Sequence, residues 1–184
     1  MTTGPQGKVA VRAAVIAATK QQFANEGPAA SIRDIARAAG VNHGLLHRHF
    51  GSRDEVIRAA FDDAARNGRA LVGDATELDA ALDRLFEPVR AGETNYPRML
   101  AWMLLSGVKP EDLQDSFPTI TRLIELGGAA RRCDVLIALL VIYGWPIFGD
   151  HLLLALGYEP DERDAVLDQL TTLLHQHLDG SPPR

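Results

Sequence analysis

Between Ser31 and Arg53 the chain reads Ser-Ile-Arg-Asp-Ile-Ala-Arg-Ala-Ala-Gly-Val-Asn-His-Gly-Leu-Leu-His-Arg-His-Phe-Gly-Ser-Arg. This stretch restricts the fold more than any other. Ser31 and Asp34 are spaced as a capping box, with Asp in the usual Glu/Gln place, and open a short helix over 31–38. Gly40 supplies a turn at a position where positive φ is cheap only for glycine. Asn42 is a good N-cap for a third helix ending near His49. Ser52 and Glu55 form a second capping box, opening a helix that runs to about Val72. Ile32, Ile35, Ala36, Val41, Leu46 and Phe50 are the apolar positions that hold the two short helices at a fixed angle. Ala39 and Gly40 are small because the backbones pass closely. Two short helices on a tight turn are the geometry that sets one helix into a DNA major groove.

Charge is distributed unevenly. Residues 1–60 carry eight Lys/Arg against four Asp/Glu, and residues 61–184 carry eleven against twenty, giving +4 and −9 and the overall −5. Only the first third suits a polyanion, so a local nucleic-acid module on a body with another task is expected. The lone Cys133 rules out an internal disulfide and fits a reducing, cytoplasmic setting. It is read as a buried small apolar residue, since the chain has no second thiol to resolve an oxidised one. The start, Met-Thr-Thr-Gly-Pro-Gln-Gly-Lys, has no apolar run behind a basic stretch and predicts no signal peptide.

Helical periodicity runs through almost every other segment, and no alternating strand pattern appears. Val9–Asn25 places Val9, Ala13, Ile16, Ala17 and Phe23 on one face and stops at Gly27-Pro28. Glu77–Arg90 is amphipathic, with Leu78, Leu82, Leu85 and Phe86 on one side. A short apolar helix follows over Tyr96–Ser106. Pro110 begins the next helix, which Pro118 should kink or split. The run Arg132–Leu156 is long and apolar, with interruptions expected at Gly144-Trp-Pro146 and Gly149. Asp161–Leu178 is the last amphipathic helix.

Residues 9 to about 58 resemble the N-terminal domain of the TetR family of bacterial regulators. The matching positions are Ala17-Ala18, Phe23, Gly27, Ser31-Ile-Arg-Asp-Ile35-Ala36, Ala39-Gly40-Val41, Gly44, Leu46, Phe50, Ser52-Arg53 and Val56. The resemblance implies an all-α protein of about nine helices. Its parts would be a three-helix helix-turn-helix DNA-binding domain over 8–58 and a helical ligand-binding and dimerisation domain over 59–180.

On that reading Ser31, Arg33, Asn42, His43, Gly44, Leu45, His47, Arg48 and Arg53 form the DNA-facing set. Asn42 can cap its helix or bond a base or phosphate, and His43 can donate to a phosphate or a base edge. Leu45 suits a thymine methyl, and Arg48 is a natural phosphate anchor. Arg33 matches a family position that reaches a guanine edge in some members. Arg53 matches the family's usual lysine on the phosphate backbone. For each the blander reading is an exposed polar residue without a base contact. The chain departs from the family at His47, where a tyrosine is usual. Histidine still donates a hydrogen bond and gains charge near pH ~6–7. His43 and His47 are spaced to share a metal, but no cysteine or suitable carboxylate lies on that face, so none is expected. No cofactor is expected either.

The apolar run Val135–Tyr158 is nearly long enough to span a bilayer. Asp150 and His151 lie inside it, and an aspartate near mid-membrane costs roughly 2.5–3.5 kcal/mol. A helix apolar all round is also what a protein buries between its core and a partner subunit. A buried dimer helix is therefore expected, with no membrane, and the family resemblance implies a homodimer through helices near 132–156 and 161–178. The alternative is a membrane-associated or lipid-binding helical protein. Two-fold symmetry would pair two reading heads on a palindromic double-stranded operator, with half-sites about 34–36 Å apart. Family analogy places a small, largely apolar effector among Met99, Trp102, Met103, Phe117, Tyr143, Trp145 and Phe148, with Asp150 or His151 as its polar group. Each of these is equally readable as plain core. No nucleophile motif, phosphate loop or metal constellation points to an enzyme. The sequence thus predicts a ligand-released repressor, although it leaves the sign of regulation open.

Overall fold

The computed structural model describes residues 7–178, and every one of its regular elements is helical. The N-terminal stretch on which the absence of a signal peptide was read, apart from Gly7 and Lys8, lies outside those residues. So do the last two residues of the expected 59–180 domain. Ten α-helices are found among the described residues: α1 (Lys8–Glu26), α2 (Ile32–Ala38), α3 (His43–Phe50), α4 (Arg53–Val72), α5 (Leu78–Arg90), α6 (Asn95–Leu105), α7 (Pro110–Leu113), α8 (Pro118–Gly127), α9 (Arg132–Leu156) and α10 (Arg163–Leu178). Three short 3-10 turns sit at Gly27–Ala29, Ala129–Arg131 and Pro160–Glu162.

Two compact units emerge, and neither is a continuous stretch. One joins the residues up to Arg66 with Asn95–Ser116; the other joins Asn67–Thr94 with the residues from Phe117 on. The break therefore falls within α4 at Arg66, and α6 and α7 belong with the N-terminal unit. Sequence order could not reveal this, because α6 joins the first unit through long-range packing on α1.

The first unit closes around Val15, Phe23, Ile35, Leu46, Phe50, Val56, Phe61 and Met99. Phe61 of α4 meets Tyr96 of α6 edge-on, with ring centroids 5.7 Å apart. Helix α1 buries Val11, Val15, Ile16, Ala18, Thr19, Phe23 and Ala24, which corrects the predicted face. Only Ile16 and Phe23 of the expected set are buried; Val9, Ala13 and Ala17 face solvent. Alanines spread all around α1 blur its apolar stripe, so periodicity could not fix the rotation. Thr19 is tolerated in this core because its hydroxyl donates to the Val15 carbonyl at 2.7 Å.

The second unit packs α5, α8, α9 and α10 around Leu82, Phe86, Leu123, Ala138, Ile142, Leu167 and Leu174. Pro118 splits the chain as expected: it opens α8, where its missing N–H costs nothing. In contrast, α9 runs unbroken through Gly144, Pro146 and Gly149. Its buried stripe Val135, Ala138, Ile142, Trp145, Gly149 and Leu153 keeps helical spacing across all three. Packing along that stripe outweighs the local breakers. Pro88 is carried inside α5 in the same way. Cys133 is exposed rather than buried, because it falls off this stripe in the first turn of α9.

Candidate nucleic-acid interface

Helix α3 is presented by local chemistry that the sequence spells out. Ser31 caps α2 by accepting from the Asp34 amide at 3.2 Å. The Asp34 carboxylate in turn accepts from the Ser31 hydroxyl and from Arg37. These bonds, the Ser31 hydroxyl first, hold the Asp34 carboxyl below the ordinary carboxylate range. Gly40 sits at φ 66°, a conformation that lets the chain turn between α2 and α3. Asn42 caps α3, its Oδ1 accepting from the Leu45 amide at 2.7 Å. Ser52 and Glu55 bond each other's amides reciprocally, at 2.8 and 3.2 Å, and start α4.

Two arginines brace this turn from behind. Arg12 of α1 donates to the His49 carbonyl at 2.7 Å, and its guanidinium lies 4.3 Å from the centre of the Phe50 ring. It ties α1 to the C-terminal end of α3, where the carbonyls lack helical partners. The sequence reading missed Arg12, since a single arginine on an amphipathic helix carries no motif. Arg53 donates to the carbonyls of Pro28 and Ala30 at 2.9 and 3.3 Å and lies over Phe23. Its charge is thus engaged within the unit, although a guanidinium has five donors and keeps some for another acceptor.

The rest of the predicted DNA-facing set divides by exposure. Arg33, Asn42, His43, Gly44, His47 and Arg48 are exposed, whereas Ser31 and Leu45 are half-buried. His43, His47 and Arg48 share the one short helix α3, whose buried side is Leu46 and Phe50. This polar face, one turn beyond a capped helix and a glycine bend, has the geometry of a groove-entering helix.

The body's candidates are scattered over both units. Met99 and Met103 are buried in the core of the first unit. Trp102 is exposed on one side and lies flat against Gly27, where a Cβ would approach its ring to 2.8 Å. In the second unit Phe117 and His151 are exposed, and Tyr143 is half-buried, with burial pushing its hydroxyl above the ordinary phenol range. Asp150 is exposed and taken by Arg163 at 2.8 Å. Trp145 and Phe148 come together in an open apolar groove of about 620 Å³ between α9 and α10, with Leu140, Leu152, Leu170 and Leu173 also along it. Among the described residues no cluster of three metal-ligating side chains occurs. His175 and His177 diverge to separate carboxylates, Asp83 at 3.5 Å and Asp134 at 3.3 Å.

Comparison with known proteins agrees with the geometry of α2 and α3. Residues 15–60 match the model for bacterial regulatory proteins of the tetR family. The HTH-type transcriptional repressor Rv3405c of Mycobacterium tuberculosis is 34% identical over 187 residues, spanning 94% of both chains. The chain belongs to the TetR family. An HTH-type transcriptional regulator of Mycobacterium bovis matches to the same extent. The HTH-type transcriptional repressor KstR2 of Rhodococcus jostii is 34% identical over 89 residues, 46% of this chain and 42% of that one. This TetR-family protein is therefore a helix-turn-helix, DNA-binding transcriptional regulator. That role is not a catalytic one.

Proposed function

We propose that the protein is a cytoplasmic repressor that binds a palindromic double-stranded operator as a homodimer and leaves it when a small apolar effector binds. The observation that carries this reading is the unpartnered apolar face of α9 and α10. Leu136, Ile137, Leu140, Phe148, Leu152, Leu156 and Leu173 are all more than 40% exposed. A monomer rarely leaves so large a contiguous apolar surface in water. Gly144 lies in the middle of it with open space where a Cβ would stand, which admits close approach by another helix. A second copy of the chain docked here buries the groove and supplies the second reading head. DNA contact in this reading falls to Arg33, Asn42, His43, Gly44, Leu45, His47 and Arg48, with Ser31 and Arg53 at the edge.

Repression is favoured over activation by the roles of two relatives, both repressors by name. Of the effector candidates, Trp145 and Phe148 line the groove that the second copy covers in this reading, so they bear on the dimer contact. Gel shift of the purified protein on the intergenic DNA beside its own gene tests the reading. A retarded complex at low salt, of a mass that fits two protomers, is expected; no binding to any adjacent intergenic duplex defeats it.

The segment Ala129–Leu156 is also long and apolar enough to cross a membrane. Recovery of the protein only in detergent would favour that reading, whereas recovery in the soluble fraction removes it.

A further inference from the structure

We infer that DNA binding by this protein is proton-linked through His43 and His47, so that it grips DNA more tightly in mild acid than at mildly alkaline pH. The inference rests on the proposed contact of α3 with DNA. His43 and His47 are both exposed, one turn apart on α3, with ring centroids 6.4 Å apart. Among the described residues neither imidazole has an ion-pair partner, in contrast to His175 and His177. The elements next to α3 in the first unit carry mostly cationic side chains. Helix α1 contributes Lys8 and Arg12, and α2 contributes Arg33, Asp34 and Arg37. Arg48 and His49 lie on α3, and Arg53, Asp54 and Glu55 open α4. Asp34 is committed to Ser31 and Arg37, and Glu55 to the Ser52 amide.

Histidine is the side chain whose ordinary titration falls between about pH 5 and 8. A phosphate placed beside an imidazole favours its charged form. Binding then takes up protons. The charged form is the one the complex stabilises, so the gain in affinity is full at low pH and is lost as pH rises through the imidazole range. A family member with the usual tyrosine in place of His47 would lack half of this device, because a phenol stays neutral there.

The test is fluorescence anisotropy with the full chain at fixed ionic strength. Two labelled probes are used: a random-sequence duplex of about 40 base pairs, and a duplex obtained by in vitro selection on this protein. Wild type is expected to bind about tenfold or more tighter at about pH 6 than at about pH 8. The log–log salt slope should also steepen by about 0.9 for each proton taken up. His47→Arg, with a permanent charge, should bind more tightly at the higher pH and show a smaller pH ratio. The double variant His43→Gln/His47→Gln should show a ratio within about twofold. A flat pH profile in wild type, an unchanged ratio in His47→Arg, or a ratio that survives the double substitution overturns the inference while leaving DNA binding intact. Absence of binding to either duplex at both pH values overturns the DNA-contact reading, and this inference with it.

Discussion

Helices α3 and α9 each leave one face to solvent, and the two faces have opposite chemistry. On α3 the open side is His43, His47 and Arg48, and its apolar residues Leu46 and Phe50 are satisfied within the unit. On α9 one stripe is buried, but Leu136, Leu140, Phe148 and Leu152 remain open. A polar open face is satisfied by water and, in the proposed reading, meets a polyanion. An apolar open face is a cost that association removes. The lesson is that the chain completes its reading head alone and leaves its body unfinished.

The sharpest way to break that contrast is to charge the α9 face. Leu140→Asp with Leu152→Asp should abolish the proposed dimer, since an uncompensated charge in an interface costs about 3–5 kcal/mol. Sedimentation should report a monomer that still folds. An unchanged mass would mean that the two copies do not meet through the α9 face.

Phe50→Ala probes the opposite property, self-sufficiency of the head. Truncating this buried ring should destabilise the first unit by about 3–5 kcal/mol, read as a lowered urea midpoint. A loss below about 1 kcal/mol would show that the head depends on other support.

Arg48→Ala should leave folding untouched and weaken DNA binding several-fold on all sequences. Its diagnostic is a salt slope reduced by about 0.9 for each phosphate that the variant no longer neutralises; an unchanged slope would remove Arg48 from the interface.

Smaller effects sharpen the bracing of α3. Arg12→Ala should cost about 1–2 kcal/mol, since it removes both the carbonyl bond and the packing on the Phe50 ring. Asn42→Ala should cost about 1 kcal/mol by removing the cap. Thermal denaturation measures both, and a variant as stable as wild type would show that its bond is dispensable.

Legibility in the sequence followed the range of the forces involved. Ser31, Asn42, Ser52 and Glu55 announced their helices because a cap acts within four residues. Gly40 announced its turn because backbone sterics are local. The bounds of α5 were close to those expected, and Gly92, at φ 74°, follows its end. By contrast, Arg12 acts on His49 across 37 positions, and no spacing rule reaches that far. The rotation of α1 was misread because its alanines fit any face. The breaks expected in α9 did not occur because a long buried stripe outweighs Gly144 and Pro146.

What the sequence determined by itself was the helix-turn-helix, its caps, its core and the identity of the side chains on α3. Those depend on short-range hydrogen bonds and on a small apolar set confined to one short stretch of chain. The tertiary structure alone decided that α6 completes the first unit, that Arg53 is held internally by Pro28 and Ala30, and which side of α9 is left open. These outcomes depend on packing between distant segments. For a helix apolar on nearly every side, composition says that it must be covered, and only packing says where it is not.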